Sequence, residues 1–192
     1  MDTMDLYRRA QDGFDAELAA VRDDQWEMPS ACAEWSVRDV AGHVVWGQRQ
    51  LLAWATGADY AETAGAPGAP RPAVLAGADP LATWRAARVT SLDEDQLRRP
   101  ISLTGLGEIP LAGVVTLLIT DLTAHAWDVG SALGRDVRLA PELVEVAFGW
   151  ARAHVVRRPG FFGPELEPPA GADAQTRLLA FLGRRAGARV PA

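Results

Sequence analysis

Apolar residues recur along this chain at helical spacing. Leu6, Phe14, Leu18 and Val21 mark one stripe over residues 4–23. Pro29 breaks the pattern. Ser36, with Asp39 three residues on, then gives a capping-box-like start to a second helix that should run to about Thr56 and end at Gly57. Asp79-Pro80 supplies a cap and first-turn proline for a third helix through about Leu92. Pro110 opens a long helix carrying Val114, Val115, Leu117, Leu118, Leu122 and Val129, with Gly134 placed to end it. Pro141 starts another that ends near Val156, and Asp173 caps a short last helix with Leu178, Leu179, Phe181 and Leu182 on its apolar side.

Two stretches read differently. Residues 64–78, rich in Ala, Gly and Pro, predict a mobile loop, either a plain connector or a substrate lid. The segment ISLTGLGEIPL predicts an irregular loop or a small hairpin. No repeat occurs, and no linker separates apolar segments sufficient for two cores. The expectation is an all-α fold, a single domain over residues 1–192, built as an antiparallel four-helix bundle with short additional helices.

Composition narrows the function. A net charge of -6 without blocks of like charge disfavours nucleic acid as a partner. No run approaches the roughly 18 apolar residues of a membrane helix, and MDTMDLYRRAQDGFD has neither the basic nor the apolar region expected of a signal peptide. One cysteine, Cys32, cannot form an internal disulfide, so a reducing cytoplasm is the expected location. All 19 basic residues are arginine, which excludes Schiff-base and P-loop lysine chemistry. G-x-S-x-G, Rossmann and Walker patterns are all missing.

Candidate chemistry gathers on the histidines. Asp121 and His125 stand four residues apart and so share a helical face. Asp121 follows the apolar run VVTLLIT, where a carboxylate needs a compensating partner. That partner is an arginine or hydrogen bond, or a cation shared with His125 and with His43 of the second helix. Two imidazoles and a carboxylate suit Zn²⁺, Ni²⁺ or Fe²⁺ and leave a position open. Asp128, on nearly the same face as Asp121, either orients a ligand or is a charge at the bundle rim. His154, before Arg157 at a helix end, favours the helix dipole and is left outside the site. Cys32 reads as a small buried hydrophobe, and most of the seven tryptophans as core, with Trp46, Trp54 and Trp127 near the candidate ligands.

Three segments together carry a family resemblance. CAEWSVRDVAGHVVWG resembles the C-x-x-W-(T/S)-V-R-D-(L/V)-x-x-H segment of actinobacterial DinB-like metal-binding proteins. DLTAHAWDVGSALGR resembles their D-x-x-x-H-x-W-D-L-A-x-A-x-G segment, and FFGPELEPPAGADAQTRLLAFLGR the ending of one subgroup. That subgroup is related to the metal-binding domain of mycothiol-dependent maleylpyruvate isomerase, and the likeness spans about residues 5–186. It implies a DinB-type bundle with a divalent metal, zinc foremost, held by His43, Asp121 and His125. It also implies mycothiol as a co-substrate. Two departures are expected: Asp121 stands where the isomerase presents a glutamate, and the isomerase's second domain is not expected here.

The resulting functional expectation is a thiol-dependent transferase or isomerase joining a small-molecule thiol to an electrophilic substrate, with Arg49 and Arg88 as cationic candidates for an acidic one. The alternatives are a metal-dependent hydrolase using Asp128 as general base, and a non-catalytic metal-binding stress protein. Nucleic acid and membrane are not expected as partners, and homodimerisation stays open.

Overall fold

The computed structural model describes residues 1–32, 34–157 and 161–186. Among them lie helices α1 (Thr3–Leu18), α2 (Val37–Thr56), α3 (Pro80–Ala87), α4 (Glu94–Arg98), α5 (Leu111–Ala132), α6 (Pro141–His154) and α7 (Ala174–Phe181). Strands β1 (Pro100–Leu103) and β2 (Gly107–Pro110) form one antiparallel hairpin with Ile101 opposite Ile109. The chain is thus mostly helical, with a small two-stranded sheet as the exception to the all-α expectation.

Capping chemistry sets most helix ends. Ser36 Oγ accepts from the Asp39 N–H while Asp39 accepts from the Ser36 N–H, which starts α2. Gly57, at φ 74°, ends it. Asp173 caps α7 through the Thr176 N–H, and Gly134 follows α5 with φ 74°. Two predicted helices are shorter than expected. The first stops at Leu18, and Val21 falls in the turn beyond it. The third stops at Ala87 instead of near Leu92, because side chains from two other helices claim the next backbone groups. Gln48 Oε1 accepts the Val89 N–H at 3.2 Å, and Gln11 Nε2 donates to the Val89 carbonyl at 3.1 Å. Asp93 and Gln96 then cap each other to start α4, which the apolar pattern did not reveal.

Helix α5 is the central element and packs against α1, α2 and α6. Phe14, Leu18, Leu51, Ile119 and Leu122 are essentially fully buried, each burial stabilising by about 1.5–3 kcal/mol. From Leu118 to Gly130 every α5 residue is buried except Asp121. Threonines in that stretch satisfy their hydroxyls on the preceding turn, Thr123 donating to the Ile119 carbonyl at 2.6 Å. Within this stretch Asp121 therefore marks the place where the helix opens toward solvent.

Candidate metal centre

His43 on α2 and Asp121 and His125 on α5 come together where these two helices pack. Nε2 of His43 lies 3.5 Å from Asp121 Oδ2, and Nε2 of His125 lies 3.3 Å from Oδ1. The two imidazoles are 5.2 Å apart and nearly perpendicular. One donor atom from each of the three residues lies within 4.8 Å of the others.

The far nitrogen of each ring is already engaged. His43 Nδ1 is 2.7 Å from the Gly65 carbonyl, which can only accept, so Nδ1 carries the proton. His125 Nδ1 donates to Asp128 Oδ2 at 2.9 Å. Both rings therefore turn Nε2 toward Asp121, the tautomer an imidazole ligand requires. The separations also fit a ligand set. Two donors each about 2.05 Å from a tetrahedral ion stand about 3.3 Å apart. A direct charge-assisted N–H···O bond is shorter, at about 2.7–2.9 Å. Chemistry and spacing of the donors fit a divalent metal.

Without an ion, Asp121 and His125 both favour their charged forms. Burial opposes the ionised Asp121, yet His125 and His43 outweigh it and hold the carboxyl far below its ordinary range. Burial also opposes a charged His125, but Asp121 and then Asp128 push its pKa up to about 9. Asp128 is itself buried, which disfavours its charge, and Arg184 overcomes that penalty to keep it ionised. Asp121 keeps 18% of its side chain exposed, so the cluster is not sealed.

The segment after α2 is built into the site. Trp46 Nε1 donates to the Glu62 carbonyl at 2.7 Å, Trp35 Nε1 to the Ala69 carbonyl at 3.1 Å, and the Ala73 N–H to Asp39 Oδ1 at 2.9 Å. A methyl on Gly42 would fall on the Pro72 carbonyl, and one on Gly65 on the Trp46 side chain, so both glycines permit close approach. The stretch expected as a mobile connector or lid is laid along α2, with a 3₁₀ turn at Pro72–Leu75.

The other sequence candidates separate clearly. Asp128 has no exposed surface, so it orients His125 and is not a charge at the rim. Trp46 flanks His43, as does Trp35, whose ring is 4.9 Å from it. Trp127 packs with Val137 and Leu179, and Trp54 against the main core. Cys32 lies near His125 and Asp128, but burial pushes its thiol up to about 12, and the Asp128 oxygens are engaged by His125 and Arg184. Arg88 is paired with Asp12, while exposed Arg49 lies about 120° around α2 from His43. His154 is exposed at the α6 end beside Trp150. Sequence reasoning missed Arg184, Trp35 and the Gly65 carbonyl. Trp35 and Arg184 both stood inside recognised segments without a role.

The family described as "Mycothiol maleylpyruvate isomerase N-terminal domain" matches residues 7–130, which include all three clustered residues and Asp128. The chain belongs to this family. Within this mycothiol-related, DinB-like family, two uncharacterised proteins from two strains of Mycobacterium tuberculosis are 36% identical to the chain over 191 residues. Each match covers 96% of this chain and 98% of the relative. No solved structure matches the chain significantly. Among the described residues, no helix is long and apolar enough to cross a membrane.

Proposed function

We propose that the chain holds one divalent metal, zinc foremost with nickel or iron as alternatives, through Nε2 of His43 and His125 and the Asp121 carboxylate. The observation that carries this reading is that both Nδ1 protons are committed to Gly65 and Asp128, leaving both Nε2 atoms aimed at one carboxylate. In this reading α1, α2, α5 and α6 make up the DinB-type antiparallel bundle, within a single domain.

The activity we propose is transfer or isomerisation dependent on a low-molecular-weight thiol, with mycothiol suggested by the family. The ion would supply Lewis acidity that lets a coordinating thiol lose its proton near neutral pH. The protein's own residues prepare that site. Gly65 and Asp128 fix the two rings, Trp35 and Trp46 cover the His43 side, and the exposed edge of Asp121 leaves a way in for a ligand. A metal hydrolase is less well supported, since Asp128, its candidate base, is fully buried and committed to His125 and Arg184. The exposure of Asp121 favours a reactive site over a sealed structural one.

The test is metal analysis by mass spectrometry on untagged protein, with His43→Ala, Asp121→Ala and His125→Ala alongside. About one equivalent in the wild type, lost in the variants, followed by thiol binding that requires the metal, is the expected result. Protein that stays metal-free after addition of zinc, nickel or iron overturns the proposal. Metal-loaded protein that binds no thiol and conjugates none across a panel of electrophiles overturns the thiol reaction alone.

A further inference from the structure

We infer that Arg184, which lies beyond α7 and beyond the family-matched segment, is a positioning residue for the proposed metal centre: it clamps Asp128, and through Asp128 it sets the His125 ring. This rests on the metal reading above and extends the site to a part of the chain distant in sequence.

A glycine turn delivers Arg184 to this position. After α7 the Gly183 N–H donates to the Ala180 carbonyl at 3.0 Å and the Arg184 N–H to the Leu179 carbonyl at 2.8 Å, the bond pair of a Schellman turn. Gly183 has φ 81°, and a side chain there would also press on Gly163 and the Pro164 carbonyl, so two constraints demand glycine. Past this turn the Arg184 side chain reaches α5.

There the guanidinium forms a fork. Nε donates to Asp128 Oδ1 at 3.0 Å, Nη2 to Oδ2 at 2.8 Å, and Nη1 to the Leu182 carbonyl at 2.9 Å. Arg184 is 8% exposed and Asp128 0%. The Phe162 ring lies 5.6 Å from the guanidinium. A buried ion pair contributes little stability beyond a well-packed apolar pair, so this one is better understood through geometry. Rotation about the last bond of an aspartate side chain is loosely restrained. Two parallel bonds from a planar guanidinium remove that freedom. Oδ2 is then held where it accepts the His125 Nδ1–H, which orients the ring and directs Nε2 at Asp121. His43 needs no such clamp, because its acceptor is a backbone carbonyl.

The experiment measures zinc affinity by chelator competition, and the visible spectrum after cobalt loading, on the full chain. The variants are Arg184→Gln, Arg184→Lys, Asp128→Asn, the Asp128→Asn/Arg184→Gln double, and Leu178→Ala as a destabilised α7 control. Arg184→Gln should weaken zinc by about 10- to 100-fold and alter the cobalt spectrum. Arg184→Lys should lose less, keeping the charge but not the fork. On the Asp128→Asn background Arg184→Gln should cost nothing further, whereas Leu178→Ala should lower the melting temperature with zinc affinity unchanged. Unaltered affinity in folded Arg184→Gln, or additive losses in the double variant, overturns the inference. If Arg184→Gln fails to fold, unaltered affinity and spectrum in Arg184→Lys overturn it. A wild type that binds no metal overturns the metal reading and this inference together, a result distinct from equal binding by wild type and Arg184 variants.

Discussion

The Gly65 carbonyl accepts the Nδ1–H of His43 at 2.7 Å across 22 residues of chain. A backbone oxygen thus fixes one candidate ligand, and its position depends on how the following segment lies on α2. Gly42 makes that approach possible. Gly42→Ala would place a methyl on the Pro72 carbonyl and lift the segment. In an ordinary helix interior this exchange gains about 1 kcal/mol. Here it should cost about 1–3 kcal/mol by overpacking and weaken metal binding about 10-fold. Thermal melting and chelator competition check both; a more stable variant with full affinity would refute the account.

In the metal-free protein, pH dependence follows from the shifted groups. Burial opposes charge on His125, but Asp121 outweighs it, and the pKa rises from 6.5 to about 9. Its stabilising contribution is complete below about 6.5 and disappears as pH rises through about 9. Burial also opposes ionised Asp121 and Asp128, but their cationic neighbours lower both, so their contribution is present above about 3.9 and lost as pH falls below it. Metal-free protein should melt highest between about pH 4 and 6.5, with an alkaline decline that His125→Gln flattens. At pH 7 metal binding should release about one proton, read by calorimetry in buffers of different ionisation enthalpy. Proton-neutral binding would contradict the assignment.

Cys32 should behave as an inert thiol. Burial chiefly, with Asp128 adding to it, pushes the group up to about 12, so little thiolate exists near neutrality. Alkylation of the folded protein at pH 7.5 should run at least about 100-fold slower than in denaturant, and Cys32→Ala should leave metal content unchanged. Rapid labelling of the native chain would return Cys32 to consideration as a nucleophile.

Asp15 offers a test away from the candidate metal centre. It accepts from Arg85 Nε at 2.9 Å and Nη2 at 2.8 Å, and from the Nε1–H of buried Trp84 at 3.2 Å, while the Trp84 ring packs edge-on against Phe14 at 5.0 Å. Asp15→Ala strands the indole N–H and should cost about 1–3 kcal/mol in denaturant unfolding, with metal affinity unaffected. A loss of metal would mean that α1 and α3 act on the site in a way its geometry does not reveal.

The parts that local sequence encodes were legible, and those made by distant backbone were not. Ser36, Asp39 and Gly57 bound α2, and Asp173 starts α7, because a cap is chosen by residues within a few positions. Asp121 and His125 were readable from helical periodicity, and the metal suggestion for His43 was strengthened by the two segments that resemble DinB-like proteins. The end of α3 was not readable, since Gln11 and Gln48 take the Val89 backbone groups from far along the chain. Arg184 was hidden for the same reason. Nothing near residue 184 announces Asp128, which only the Gly183 turn brings within reach. Gly65 contributes through its carbonyl, and backbone atoms carry no residue signature.

The Arg184–Asp128 fork has a consequence for synthesis. Arg184 lies 56 residues downstream of Asp128. At ribosomal rates of about 5–20 residues per second, it is added about 3–11 s later. While the chain is growing, His43, Asp121 and His125 have all been made before the clamp on His125 exists. Orientation of the ring, and with it the proposed firm capture of an ion, thus waits until Arg184 has been made and has reached Asp128.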